Sequence, residues 1–276
     1  MATVTRAVAA VLLLGAVLSA CSHSPRTAAS PPRPPEDSVT SSSPTPSPSP
    51  DLPPLRVVGL GDSVMAGTGC DCHDLLQQYA DSLAARTRRT VRADNLGTDG
   101  AITDDLLEDL RTDARTRNLV AGADVVVVVV GANDLLPQLQ AWRAGSCEHS
   151  CFGPPVRQMG DQLARVLAAL GAARNGRTDH VLVTDYWNVF QDGQVALDAD
   201  GQAGLDWSTE VTSAANAAIC GAARSAQAAC VDLVSPFKGP NGGDPTRLLA
   251  DDGDHPNPAG TRVIVRALMG ATPDDL

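Results

Sequence analysis

Residues 124–134 read DVVVVVVGAND and place six consecutive valines directly before a short polar segment. β-Branched residues favour strands, and an uninterrupted apolar run is typical of a strand that is covered on both faces. We therefore predict a buried central strand at 125–130, with polar residues at its carboxyl end.

Apolar runs and amphipathic segments alternate on both sides of this strand. They predict further strands at 56–60, 90–94, 180–184 and 230–233, and helices at 74–88, 103–117, 155–173, 208–226 and 258–269. Asn257 is expected to cap the last helix, with Pro258 in its first turn. About five strand–helix repeats predict a three-layer α/β/α fold with a central parallel sheet of about five strands.

The composition excludes several classes of protein. The chain has 276 residues, enough for one or two domains, and 43% of them are hydrophobic, which is enough for a sizeable core. Acidic residues outnumber basic ones by 32 to 21, Lys238 is the single lysine, and the formal net charge is −11. We expect no nucleic-acid partner, because phosphates require a basic face that such a chain lacks.

The N-terminus has the layout of a bacterial export signal. Arg6 precedes an uncharged apolar stretch at 7–20, which is too short to span a bilayer as a helix. The stretch ends in LSAC at 18–21, which resembles the lipobox of bacterial lipoproteins, where the cysteine is lipidated after cleavage. We predict a signal peptide at 1–20 and lipidation of Cys21; an ordinary secretory signal with a chance cysteine is the alternative.

Residues 22–54 are rich in Pro, Ser and Thr and lack the apolar residues of a core. Such a tract prefers extended conformations, so we predict that 21–54 is a disordered tether to a domain at 55–276. A proline-rich ligand for another protein is the alternative. The expected location is extracytoplasmic, anchored to the membrane.

Six further cysteines lie in the predicted domain, an even number that favours disulfides in an exported protein. We pair Cys220 with Cys230, which are ten residues apart at the two ends of one segment. Two local bridges, or bridges across two loops, remain open for the other four, Cys70, Cys72, Cys147 and Cys151. The cysteines beside His73 resemble a metal clip, but no second clip has matching spacing, so we expect no metal or cofactor.

Short polar motifs follow the predicted strands, where ligands bind in parallel α/β sheets. They are GDS at 61–63, NLGTDG at 95–100 and GAND at 131–134, and DGDHPN at 252–257 precedes the last helix. Taken singly, Ser63 is more typical of a helix cap, Asn133 of a turn and His255 of a surface loop. Together, at matched positions, they indicate an active site.

The order of these motifs resembles the SGNH, or GDSL, hydrolase family over residues 56–270. The resemblance implies a flavodoxin-like strand order and a serine esterase or lipase. It implies Ser63 as nucleophile, His255 as base and Asp252 as the carboxylate that orients the histidine. It also implies an oxyanion hole made of the N–H groups of Ser63 and Gly100 and the side-chain amide of Asn133.

The residues support these roles beside the resemblance. A serine needs a base nearby to become nucleophilic, and His255 lies among acidic residues that can hold an imidazole in one tautomer. Asp251 and Asp254 compete with Asp252 for that role, and we favour Asp252 because adjacent side chains, such as that of Asp254, generally point apart. The G-x-S-x-G elbow of α/β-hydrolases is missing, since Met65 stands at its second glycine.

Two other features bear on the site. His73 and His149 are expected on surface loops, and His180 at the start of a strand in a core or edge role. Residues 186–207 hold four of the chain's eight aromatic residues and follow the fourth predicted strand. We expect this segment to cover the catalytic face, either as a pocket wall or as a capping loop.

The sequence thus predicts an exported serine esterase or lipase-like hydrolase that forms an acyl-enzyme on Ser63. The alternatives are an acyltransferase or carbohydrate O-acetyl esterase with the same residues, and a non-catalytic lipoprotein that binds at the cell surface. Expected partners are a small-molecule, lipid or carbohydrate ester and the membrane, and we expect a monomer. No residue selects the acyl chain or the alcohol.

Overall fold

The computed structural model describes residues 52–147 and 151–276. The predicted signal peptide, Cys21, His149 and nearly all of the tether lie outside the described residues. Within them the strands are β1 Leu55–Gly61, β2 Val91–Gly97, β3 Val125–Val129, β4 Val181–Thr184 and β5 Ala229–Val231. All are parallel, in the order β2-β1-β3-β4-β5. This is the flavodoxin-like order, whose direction switches between β1 and β3.

Helices follow the strands and cover the sheet. They are α1 Ser63–Ala66, α2 Leu75–Thr87, α3 Thr103–Thr112, α4 Ala114–Ala121, α5 Leu136–Arg143, α6 Gly153–Ala173, α7 Gly193–Ser225, α8 Val234–Lys238 and α9 Pro258–Ala271. Short 3₁₀ turns occur at Asn133–Leu135 and Thr246–Leu248. Helix α2 packs against α9, and α6 packs against α3, α4 and α7. The predicted three-layer α/β/α fold is confirmed.

The valine run forms the middle of the core. All six valines at 125–130 are buried, together with Val57, Val58 and Leu60 of the neighbouring strand β1. A strand buried on both faces orders the strands beside it through in-register pairing, here from Val57 opposite Val125 to Gly61 opposite Val129. The pairing aligns the carboxyl ends of β1 and β3, and so aligns the motifs that follow them.

Three predicted elements differ most in extent from those in the structure. The helix predicted at 103–117 is two helices, because the carboxylate of Asp113 accepts the N–H groups of Arg115 and Thr116 and starts α4. The helix predicted at 208–226 begins earlier, at Gly193, and bends at Gly201, where φ is 67°. Strand β2 runs beyond the predicted residue 94 to Gly97, because its pairing with β1 continues to Gly61.

The cysteines of the described residues form three local pairs. Cys70 pairs with Cys72, Cys147 with Cys151 and Cys220 with Cys230, with Cα atoms 5.0, 5.3 and 5.2 Å apart. These separations suit disulfides. The third pair is the one inferred from sequence, and the other two follow the local alternative. Within the described residues, no helix is both long enough and apolar enough to cross a membrane.

Candidate active site

Ser63 lies at the turn between β1 and α1. Gly61, the last residue of β1, has a φ of 154°, and a Cβ there would collide with the carbonyl of Val129. Asp62 caps α1, since its Oδ1 accepts the N–H of Val64 at 3.0 Å. The capping role considered for Ser63 therefore belongs to Asp62, and the Ser63 hydroxyl points to other partners.

A chain of hydrogen bonds joins Ser63 to the loop before α9. His255 Nε2 lies 2.8 Å from Ser63 Oγ, and His255 Nδ1 lies 2.6 Å from Asp252 Oδ2. The second oxygen of Asp252 accepts the backbone N–H groups of Asp254 at 2.9 Å and His255 at 3.0 Å. Asp252 is thus fixed by its own loop and aimed at the imidazole, whereas Asp254 contributes only its backbone.

The charge of Asp252 suits this position. Partial burial disfavours its ionised form, but hydrogen bonds from the N–H and the imidazole of His255 and from the N–H of Asp254 outweigh burial and lower its pKa. Asp252 is therefore ionised at neutral pH and stabilises a positive imidazole. Asp254 also borders the site, where burial raises the pKa of its carboxyl.

The structure brings Asn133, but not Gly100, into the pocket around Ser63. Asn133 opens the 3₁₀ turn after β3, lines the pocket and donates its amide to the carbonyl of Ala101 at 3.0 Å. Gly100 precedes Ala101, is exposed, and has a φ of 77°. Ser63 is the first residue of α1, so its N–H has no partner within that helix.

The pocket lies above the carboxyl ends of β1, β3 and β4. Besides Ser63, Asn133 and His255, its lining includes Leu136, Tyr186, Trp187, Asn188, Val189 and Asp254. The first residues of the aromatic segment therefore form a pocket wall, while its later part, from Gly193, is helix α7. The pocket-wall interpretation therefore holds for the first residues, whereas the later part is a helix and not a capping loop.

The comparison with known families decides the class. A model of the GDSL-like lipase/acylhydrolase family matches residues 60–263, more than half of the chain. The chain belongs to this family. It is accordingly an SGNH hydrolase, in the class of esterases and lipases.

Solved structures share this fold. A lipase from a goat rumen metagenome is 19% identical, with 79% of this chain and 97% of that chain covered and a TM-score of 0.63. A lipase/acylhydrolase from Enterococcus faecalis is 18% identical, with 80% of this chain and 99% of that chain covered and a TM-score of 0.52. A variant of an acetyl-xylooligosaccharide esterase from Geobacillus stearmophilus is 15% identical, with 79% of this chain and 93% of that chain covered and a TM-score of 0.57. A search of curated proteins finds no match.

The second motif of this SGNH hydrolase supports the serine turn. The Asn95 amide donates to the carbonyl of Met65 at 2.8 Å, and the N–H of Thr98 donates to the carbonyl of Gly61 at 2.9 Å. A Cβ on Gly97 would collide with the backbone N of Ala66. The end of β2 therefore packs directly on α1, which only glycine permits at 97.

Sequence reasoning missed the supports on the β4 side of the hydrolase. Tyr186 donates its hydroxyl to Asp62 Oδ2 at 2.5 Å, while Gln191 donates its amide to the carbonyl of Asp252 at 2.9 Å. Tyr186 was detectable only as the second residue after a strand end, and Gln191 carried no signal. The other described histidines lie apart: His73 is exposed, and His180 Nε2 is 3.2 Å from Asp275.

No group of three or more His, Cys, Asp or Glu side chains within residues 52–147 and 151–276 is arranged to hold a metal ion. Cys70 and Cys72 pair with each other, so their sulfurs are engaged in the pair beside His73.

Proposed function

We propose that this SGNH hydrolase is a serine esterase that works through an acyl-enzyme on Ser63. The observation that carries the proposal is the unbroken hydrogen-bond chain from Ser63 Oγ through His255 to Asp252. Nucleophile, base and orienting carboxylate within hydrogen-bond reach define this mechanism irrespective of fold. Membership of the esterase and lipase family supports it.

The proposed reaction has two halves. Ser63 Oγ attacks the ester carbonyl carbon and gives its proton to His255 Nε2, which returns it to the departing alcohol oxygen. The oxyanion accepts hydrogen bonds from the Asn133 amide and from the N–H group of Ser63. Water then gives a proton to His255 and attacks the acyl carbon. The bond between the acyl carbon and Ser63 Oγ breaks, His255 returns the proton to Ser63 Oγ, and the acid is released.

Asp252 completes this cycle without itself accepting a proton. Its two oxygens hold the His255 N–H and Nδ1, which leaves Nε2 facing Ser63. Because hydrogen bonds lower the pKa of Asp252, its negative charge persists while the imidazole is positive.

The test is hydrolysis of p-nitrophenyl esters of increasing acyl length by wild type, Ser63→Ala and His255→Ala. Each variant is expected to lose at least about 10³-fold in kcat, since residues of such a unit act together. Ser82→Ala is the matched control, because the Ser82 hydroxyl only bonds the carbonyl of Gln78 within α2. Retention of more than about a tenth of the activity by Ser63→Ala would overturn the mechanism. Acyl transfer to added alcohols in preference to water would favour an acyltransferase.

We further propose that the protein is exported and anchored through a lipid on Cys21. The support is the apolar stretch at 7–20 that ends at this cysteine, followed by the Pro/Ser/Thr tract. Cys21→Ala is expected to abolish fatty-acid labelling and to remove the mature protein from the membrane fraction. Unchanged labelling would refute the anchor. The monomeric state remains a proposal, to be measured by sedimentation.

A further inference from the structure

A buried ion pair lies beside the loop that carries Asp252 and His255. Lys238, at the end of α8, places its Nζ 2.6 Å from Asp192 Oδ2, and the two side chains are 11% and 2% exposed. Removing two charges from water is costly, and such a pair is often no more stabilising than apolar residues of the same size. Its presence therefore calls for a reason other than stability.

Asp192 connects that pair to the catalytic loop. Its Oδ1 accepts the N–H of Gly193 at 2.8 Å and caps α7. Its own N–H donates to the carbonyl of Gly253 at 2.7 Å. The preceding residue, Gln191, holds the carbonyl of Asp252. Two consecutive residues thus hold two consecutive carbonyls of the loop whose side chains are aimed at Ser63.

The loop also packs directly against the first turn of α7 at Gly253. Gly253 has a φ of 70°, and a Cβ there would lie 2.5 Å from Cβ of Val195. The N–H of Gln194 bonds Thr246 Oγ1 at 2.9 Å, which ties the same turn to the segment before the loop. A displacement of Asp192 therefore moves the backbone at Asp252 and Gly253.

We propose that Lys238 is a positioning residue for the reaction, acting through Asp192 on the Asp252–His255 pair. This inference rests on the proposed function. Without the ammonium group, the Asp192 carboxylate is left buried without its cation, and it turns toward water. Its backbone then no longer fixes Gly253, and the 2.6 Å contact between Asp252 and His255 loosens. A shift of about 1 Å in a catalytic group costs on the order of 10²-fold in rate.

The experiment compares full-length wild type, Lys238→Met and Lys238→Arg with p-nitrophenyl acetate. Lys238→Met is expected to lower kcat at least about tenfold and to leave KM within about twofold, because the loop acts on the chemical step. Lys238→Arg keeps the cation and is expected to recover most of kcat.

Arg174→Met is the matched control for loss of a buried cation. Arg174 is fully buried and donates hydrogen bonds to the carbonyls of Ala123 and Asp179. These residues precede β3 and β4, so they lie at the amino ends of the strands, whereas Ser63 lies at the carboxyl ends. This variant is expected to lower the unfolding temperature without changing kcat in the folded enzyme. An equal loss of kcat in Arg174→Met and Lys238→Met, or a Lys238→Met kcat within twofold of wild type, overturns the inference.

Two further measurements keep the outcome decisive. If Lys238→Met fails to fold, Gln191→Met replaces it; Gln191 is half-buried, and unchanged kcat in that variant overturns the inference. The low-field proton signal of the hydrogen bond between His255 and Asp252, assigned by its loss in Asp252→Asn, is read in the same proteins. If this proton signal is unchanged in Lys238→Met, Lys238 does not position the pair. The signal can be read even if the protein hydrolyses no ester, so failure of the proposed function is distinguished from failure of this inference.

Discussion

The hydroxyl of Tyr186 donates a hydrogen bond to Asp62, the residue before Ser63, across 124 positions of sequence. Asp62 is 2% exposed, and burial raises its pKa to about 6 although the bonds from Tyr186 and Val64 lower it. Tyr186 is itself fixed by Asn216, which bonds both its N–H and its carbonyl. One phenol therefore joins the serine turn to the wall of the pocket.

Tyr186→Phe is expected to destabilise the fold by about 1–3 kcal/mol, because a buried carboxyl loses its donor. The loss should be larger at pH 8 than at pH 5. With a pKa of about 6, Asp62 is charged at the higher pH, where the donor matters most, and largely neutral at the lower. Urea unfolding at the two pH values measures the difference.

Tyr79→Phe provides the control for that experiment. Tyr79 is equally buried, but its hydroxyl lies 2.8 Å from the neutral hydroxyl of Thr272. Its replacement should cost the same at both pH values. A pH-independent loss in Tyr186→Phe as well would show that Asp62 does not ionise in the folded state.

Asp252→Asn and Asp254→Asn separate the two neighbouring carboxylates. We expect the first to lower kcat by about 10³- to 10⁴-fold, because an amide neither holds the required tautomer nor stabilises a positive imidazole. The second should change kcat for a neutral ester by less than about threefold, since the Asp254 contribution to the Asp252 cluster is its backbone N–H. The reverse ranking would reassign the orienting carboxylate.

Asn133→Ala tests the oxyanion donor. Loss of one donor costs about 10²- to 10³-fold in kcat, with KM little affected, if its amide serves the transition state. Asn95→Ala is the contrast, since the Asn95 amide binds the carbonyl of Met65 and should act on stability. Comparable kcat values for Asn133→Ala and wild type would remove Asn133 from the mechanism.

Asp185→Asn concerns the pH dependence of stability. Asp185 is buried, and burial raises its pKa from 3.8 to about 7 even though the N–H of Leu233 bonds it at 2.6 Å. Between these values the folded chain binds more protons than the unfolded chain, so the free energy of unfolding falls as pH rises. Over this pH range the free energy of unfolding falls by about 4 kcal/mol in total. The asparagine does not titrate, and its unfolding curve from pH 4 to pH 8 should lack that decline; parallel curves for both proteins would contradict the assignment.

Much of the site followed from the sequence because a parallel sheet brings strand ends to one edge. The valine run marked β3, and its pairing with β1 aligned Gly131 with the turn that carries Ser63. The residues named from the motifs, Ser63, Asn133 and His255, line one pocket. Spacing within a single loop was enough to place Asp252 beside His255.

What the sequence did not predict depends on contacts between distant segments. Residues 186–207 were expected to form a pocket wall or a capping loop, yet Asp192 caps a helix that begins at Gly193. The Lys238 and Asp192 side chains are paired only because α8 and the start of α7 meet. Gly100 was assigned by resemblance, but its exposure outside the pocket depends on the path of the turn after β2.

The bond between Ser63 and His255 spans 192 residues of the chain. Contacts so distant in sequence form late in folding, because the entropy cost of closing a long loop must be overcome before they form. Because synthesis runs from the N-terminus, Ser63 is made well before His255, and their bond can form only once the loop before α9 has docked. Recovery of activity after dilution from denaturant should lag behind the change in tryptophan fluorescence as Trp187 and Trp207 become buried, which makes turnover itself a measure of completed folding.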